Sequence, residues 1–138
     1  MSAFNSQVGG DHYKNLGMQP LMFATVNSYD PAAFAILKYM SRWRNKNGVQ
    51  DLRKALHFVQ LRVELLERIR LAENPVHDHI SMRRYIKANS ITGEDASILL
   101  ALHEWVNTDI PHSLVFVRGN ALEVDIQQLI LKEEKANA

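Results

Sequence analysis

Residues 51–66 read Asp-Leu-Arg-Lys-Ala-Leu-His-Phe-Val-Gln-Leu-Arg-Val-Glu-Leu-Leu. Leu52, Leu56, Val59, Val63 and Leu66 recur at alternating spacings of four and three, and Phe58, Leu61 and Leu65 widen the stripe. Only a helix puts residues at those spacings on one face, whereas a strand would need every second residue apolar. The pattern predicts a helix from near Asp51 to about Glu73, where Asn74-Pro75 stops it. Upstream, Asp30-Pro31 reads as a helix start: a side-chain acceptor for free N–H groups, then a residue whose missing N–H costs nothing there. Phe34, Leu37, Met40 and Trp43 follow at helical spacing, with Ala33 and Ile36 widening the face, and Asn47-Gly48 ends that helix. Two helices joined by so short a loop predict an antiparallel helical hairpin. Its broad apolar face requires another element or a second copy of the chain to cover it, so a homo-oligomer is expected.

Working outward, the polar first dozen residues read as a flexible arm leading to Asp11-His12-Tyr13, and Gln19-Pro20 opens a short amphipathic stretch to about Asn27. Residues 75–80 form a connection, and a shorter helix is expected over residues 81–89. Thr92-Gly93-Glu94-Asp95 caps another helix with Ile98, Leu99, Leu102, Trp105 and Val106 inside. The tail admits two readings. Residues 113–117 look like a strand and Arg118-Gly119-Asn120 like a turn, which together form a small β-hairpin. Asn120 with Glu123 also reads as a capping box, with Leu122, Ile126, Leu129 and Ile130 behind it. Helix is favoured from Asp125 onward. The expected fold class is mainly α, with residues 1–74 as a helical domain and 75–138 as a helical extension packing on it, or one continuous domain. No internal repeat is evident.

With 138 residues the chain suits one ordinary domain, and its 16 Lys+Arg nearly balance 15 Asp+Glu. The balance hides an asymmetry: residues 1–54 hold seven basic and three acidic side chains, residues 55–138 nine and twelve. The absence of cysteine excludes disulfides, thiol catalysis and cysteine-ligated metal centres. No apolar run approaches membrane-spanning length and no signal-peptide pattern opens the chain, so a soluble cytoplasmic protein without a membrane partner is expected. Phosphate-binding P-loops, dinucleotide glycine fingerprints, nucleophile elbows and zinc-protease motifs do not occur.

The basic excess concentrates between Lys38 and Lys54, where Lys38, Arg42, Arg44, Lys46, Arg53 and Lys54 face Asp51 alone. Lys38 and Arg42 are one turn apart on one helix face. Arg53 and Lys54 are expected in the first turn of the next helix, where cations oppose the helix dipole. Free N–H groups at a helix start among Lys and Arg suit a phosphate, while the plain alternative is a solvated basic face. His12-Tyr13 beside Gly9-Gly10 could close over a ligand or merely anchor a polar arm, and His57 lies one turn beyond Lys54. His77-Asp78-His79 carries a weak metal signal, and no metal ligand is assigned. Trp43 and Trp105 are expected to pack.

Val8-Gly9-Gly10-x-His12-Tyr13, Gln19-Pro20, Ile36-Leu37-Lys38-Tyr39-x-x-Arg42, Lys46-Asn47-Gly48 and Asp51-Leu52-x-Lys54-Ala55-x-His57 together resemble a small bacteriophage domain family of unknown or nucleotide-kinase-like function. The resemblance covers about residues 8–66. One relative looks like a phage nucleoside monophosphate kinase that lacks a P-loop. Gln19 stands where many relatives have an acid before the proline. The resemblance implies a nucleotide or other phosphorylated small molecule bound through Tyr13, Lys38, Tyr39, Arg42, Lys46, Lys54 and His57, with His12 and Asp51 catalytic. Mg²⁺ is implied only for a kinase. The alternative is a non-enzymatic phage interaction protein that binds a host protein, a nucleotide signal or nucleic acid. The acidic back half makes nucleic acid the least expected partner.

Overall fold

In the computed structural model, which describes residues 16–68, 79–107 and 112–138, the apolar periodicities become helices. Among the described residues these are α1 (Pro20–Val26), α2 (Pro31–Arg42), α3 (Val49–Arg68), α4 (Met82–Ala88), α5 (Gly93–Asn107) and α6 (His112–Ala136), with a 3₁₀ turn over Trp43–Asn45. The fold is mainly α, and no strand occurs among the described residues. The expected arm over the first dozen residues, the helix end near Asn74-Pro75 and the boundary at 74/75 lie outside the described residues.

Local chemistry explains the helix starts. Asp30 Oδ1 accepts the Ala33 N–H at 2.8 Å, with Pro31 as the first helical residue of α2. Ser81 does the same for α4, accepting the Arg84 N–H at 3.2 Å. After Arg42 the chain tightens into the 3₁₀ turn, and Gly48, at φ +56°, turns it into α3. Because α3 begins at Val49, Arg53 and Lys54 fall in its second turn, which corrects the expected first-turn placement. The first turn carries Asp51, which the helix dipole favours.

The β-hairpin reading of the tail is also corrected. Residues 113–117 and the presumed turn Arg118-Gly119-Asn120 all lie within α6. Tertiary packing overrides the local strand preference of Val115-Phe116-Val117. Gly119 is a crossing point, not a turn residue: a Cβ there would stand 2.7 Å from Val63 Cγ2 and 3.0 Å from Trp105 Cζ2. The Trp105 indole N–H donates to the Val115 carbonyl at 3.1 Å across the same crossing.

The helices reveal a repeat that the sequence conceals. Shifting α1 by 62 residues reproduces the bounds of α4, and the stretch from Pro31 to Asn45 maps onto α5, Gly93–Asn107. Both short helices end in Asn-Ser, with Ser28 at φ 59° and Ser90 at φ 54°. Their closing bonds also match: Tyr29 N–H to the Ala24 carbonyl, and Ile91 N–H to the Ile86 carbonyl. Ile36 and Ile98, Leu37 and Leu99, and Trp43 and Trp105 are identical buried pairs at that offset, while most other positions have diverged. Each unit continues into a long helix, α3 or α6. Leu52, Ala55 and Val59 on α3 have buried counterparts in Gly119, Leu122 and Ile126 on α6, five residues beyond the 62-residue offset.

The two units grip each other reciprocally, as contacts across a two-fold axis do. The buried Asn27 side chain donates to the Ile80 carbonyl at 2.8 Å and accepts its N–H at 3.0 Å. Asn89 accepts the Met18 N–H at 2.7 Å and donates to the Met18 carbonyl at 3.0 Å. One hydrophobic core runs through both units, from Phe23, Ile36, Leu37 and Leu52 to Tyr85, Leu99, Leu102 and Ile126. Each such fully buried apolar side chain contributes roughly 1.5–3 kcal/mol. Trp43 and Trp105 are both 3% exposed, so both pack as expected. No helix among the described residues is long and apolar enough to cross a membrane.

Candidate anion-binding site

α2 and α3 lie side by side, with Arg42 meeting Asp51 beside their connection and Tyr39 meeting Phe58 further along. The helical period fixes what this seam displays. Lys38, Tyr39 and Arg42 share one side of α2, and Lys54 and Phe58 are one turn apart on α3. The Tyr39 and Phe58 rings stack with centroids 6.0 Å apart and an interplanar angle of 22°. Three cations surround the half-buried Tyr39 ring: Lys38 Nζ at 4.6 Å from its centroid, Arg42 Cζ at 4.8 Å and Lys54 Nζ at 5.4 Å. Lys38 also reaches the Phe34 ring at 5.7 Å.

The electrostatics are unbalanced. Any two of these cations lie within about 10 Å of each other and repel by about 0.4–1.7 kcal/mol at effective dielectrics between water and a protein surface. Each contact with the ring returns about 0.5–1 kcal/mol. Asp51, fully buried, receives Arg42 Nε at 3.1 Å on Oδ2 and Nη2 at 3.2 Å on Oδ1. Asn47 Nδ2 approaches Asp51 Oδ1 at 3.5 Å. Among the described residues no carboxylate lies within ion-pair distance of Lys38 or Lys54. An arriving anion would relieve this repulsion.

The helix start itself does not supply the donors expected of it. The Gln50 N–H bonds the Asn47 carbonyl, and the Asp51 and Leu52 N–H groups bond that of Gly48. The site is therefore made of side chains. Lys46 is exposed on the connection, and His57 is exposed on α3 with its ring 6.1 Å from that of Phe58. His12 and Tyr13 lie outside the described residues, as do His77 and Asp78.

Arg44 and Arg53, from the same basic stretch, have a different fate. Arg44 donates to Asp95 through Nε at 2.9 Å and Nη2 at 3.2 Å, and Trp43 Nε1 donates to the same carboxylate at 3.1 Å. That hydrogen bond holds the Arg44 guanidinium protonated beyond its usual range, so on the alkaline side the pair is lost only in strongly basic solution. Arg53 pairs with Glu134 of α6. Asp95, expected as a simple first-turn acid, is thus a link from the second unit to the first.

Sequence reading missed two contributors. Phe58 was counted with the apolar stripe but forms the floor under Tyr39, a role signalled by its position one turn from Lys54. Arg62, 6% exposed, gives Nε to Asp30 Oδ2 at 3.0 Å and lies 4.3 Å from the Trp105 ring. Its Nη1 is buried without a hydrogen-bond partner.

Every assigned side chain of this seam falls within one matched segment. Residues 8–60 match DUF3310, a protein family of unknown function. The match takes in α1, α2 and the first part of α3, and stops short of α4, α5 and α6. No curated protein and no solved structure matches the chain.

Proposed function

We propose that the α2–α3 seam around Tyr39 binds the phosphate of a small molecule, with a nucleotide as the ligand class. The observation that carries this reading is the gathering of Lys38, Arg42 and Lys54 on one aromatic ring, with no carboxylate among the described residues within ion-pair distance of either lysine. In this reading Lys38 and Lys54 meet the phosphate oxygens, and the positive charge of Arg42 lies beside them. Asp51 acts as a positioning residue, holding the guanidinium fork in one orientation. Lys46 and His57 are exposed beside the seam. The resemblance to phage nucleotide-kinase-like domains is what names a nucleotide and phosphoryl transfer. Such transfer depends chiefly on positioning and on neutralising phosphate charge, which Lys and Arg can supply.

A resident magnesium ion does not fit these residues. Both Asp51 oxygens are taken by Arg42, and among the described residues no three His, Asp or Glu side chains converge. No role is assigned to a metal held by the chain alone.

A thermal-shift panel of nucleoside mono-, di- and triphosphates, with and without Mg²⁺, tests the reading. A binding nucleotide raises the melting temperature in proportion to ln(1 + [L]/Kd), and Lys38→Ala with Lys54→Ala removes that rise. Absence of a shift with every nucleotide ends the proposal. Binding without turnover in Mg²⁺ retains the site and leaves the non-enzymatic alternative in place of transfer.

A further inference from the structure

The repeat gives the anion seam a counterpart in the second unit. At the 62-residue offset Lys38, Tyr39 and Arg42 correspond to Leu100, Ala101 and Glu104. With the longer connection before α6, Asp51, Lys54 and His57 correspond to Arg118, Ala121 and Val124. The ion pair survives with its polarity reversed: Arg118 Nη1 lies 3.6 Å from Glu104 Oε1, where the first unit joins Arg42 to Asp51. The cations are gone: Leu100 and Ala121 stand in the places of Lys38 and Lys54, and Glu104 in that of Arg42.

This face continues along α6 as a second apolar stripe, opposite the one in the core. Leu114, Val117, Val124 and Leu131 are 42%, 60%, 47% and 61% exposed. With the exposed Ala121 and Gln128 they follow spacings of three and four over most of the helix, the pattern of a coiled-coil seam. The charges flanking the stripe favour one arrangement of a second copy. When two α6 helices run antiparallel with Ala121 opposite Val124 of the other copy, Leu114 meets Leu131, and Arg118 meets Asp125 on both sides of the axis. A parallel pairing in register would set Leu131 against Leu131 and lose both Arg118–Asp125 pairs.

We propose that the chain forms a two-fold dimer through this outer face of α6, and that the second unit serves assembly where the first serves binding. The interface is isologous, so one patch serves both partners. None of the residues of this stripe belongs to the Tyr39 seam. Loss of nucleotide binding in Lys38→Ala with Lys54→Ala and loss of dimer in an α6 variant are therefore separate outcomes.

Sedimentation of the full chain over a concentration series tests the dimer. A dimer is expected, with Val124→Glu raising its dissociation constant by at least about tenfold, the effect of placing a charge in an apolar contact. Circular dichroism melting verifies that the variant folds. Because the chain has no cysteine, introduced thiols report the geometry directly. Ala121→Cys with Val124→Cys should cross-link between copies on oxidation. Leu131→Cys alone should not, because its two copies would lie about 25 Å apart along the axis. A monomer at all concentrations, a dimer indifferent to Val124→Glu, or self-cross-linking of Leu131→Cys each overturns the proposal.

Discussion

Arg44 and Arg53 come from the same short stretch as Lys38, Arg42 and Lys54, yet the folded chain treats the two sets differently. Arg44 and Arg53 receive carboxylates from the second unit, Asp95 and Glu134, and become links between the repeats. The other three share one aromatic ring, and of them Arg42 pairs with the buried Asp51. The difference teaches that a basic cluster in sequence is a pool from which folding withdraws some charges for structure. What is left over is the face proposed above to bind an anion.

Four substitutions bear on that contrast, in decreasing order of expected effect. Asp51→Ala should be the most damaging, because it removes the buried carboxylate that Arg42, whose side chain is only 11% exposed, contacts through Nε and Nη2. Removing one partner of such a pair costs about 3–5 kcal/mol, read as a lower denaturant midpoint with an unchanged slope. A loss below about 1 kcal/mol would mean that Arg42 does not depend on Asp51, and the positioning role would go.

Asp95→Ala should cost about 1–3 kcal/mol, mostly by leaving the buried Trp43 indole N–H unpaired, since Arg44 itself is solvated. If Trp43→Phe makes Asp95→Ala nearly neutral in a double-mutant cycle, the account holds. Additivity of the two would contradict it.

Arg53→Ala removes an exposed pair and should change stability by about 0.5 kcal/mol or less, with the effect fading in high salt. A large, salt-insensitive loss in urea unfolding would show that this link carries more of the contact between α3 and α6 than its exposure implies.

Lys38→Ala with Lys54→Ala should leave the free chain unchanged or slightly more stable, because two mutually repelling cations go and no ion pair is broken. The same double variant should lose the nucleotide-induced rise in melting temperature. Strong destabilisation without ligand would place these lysines among the structural set and erase the contrast.

The residues legible in advance were those whose partners lie within a turn or two. Asp30 announced its helix, and the apolar periods of α2, α3 and α5 named their buried faces. Asp30 was read correctly as a cap, although its second oxygen also holds Arg62. Leu114, Val117 and Val124 were harder to place. They face outward on a helix whose opposite side is equally apolar, and two apolar faces blur the single period that marks an amphipathic helix. The repeat escaped notice because few positions are identical at the 62-residue offset, while burial and backbone geometry are retained at many more.

The sequence by itself determined the helical class, the capping chemistry, the basic stretch between Lys38 and Lys54, and the packing of Trp43 and Trp105. These follow from spacing and side-chain type, which act over a few residues. Tertiary structure alone decided that residues 113–117 are helical, that Asn27 and Asn89 clamp the two units, and which cations remain without a carboxylate. Those outcomes depend on partners far away in the chain: Asp95 is 51 residues from Arg44, and Glu134 is 81 from Arg53. No local pattern records such distances, because folding brings the two groups together only after each helix has formed for reasons of its own.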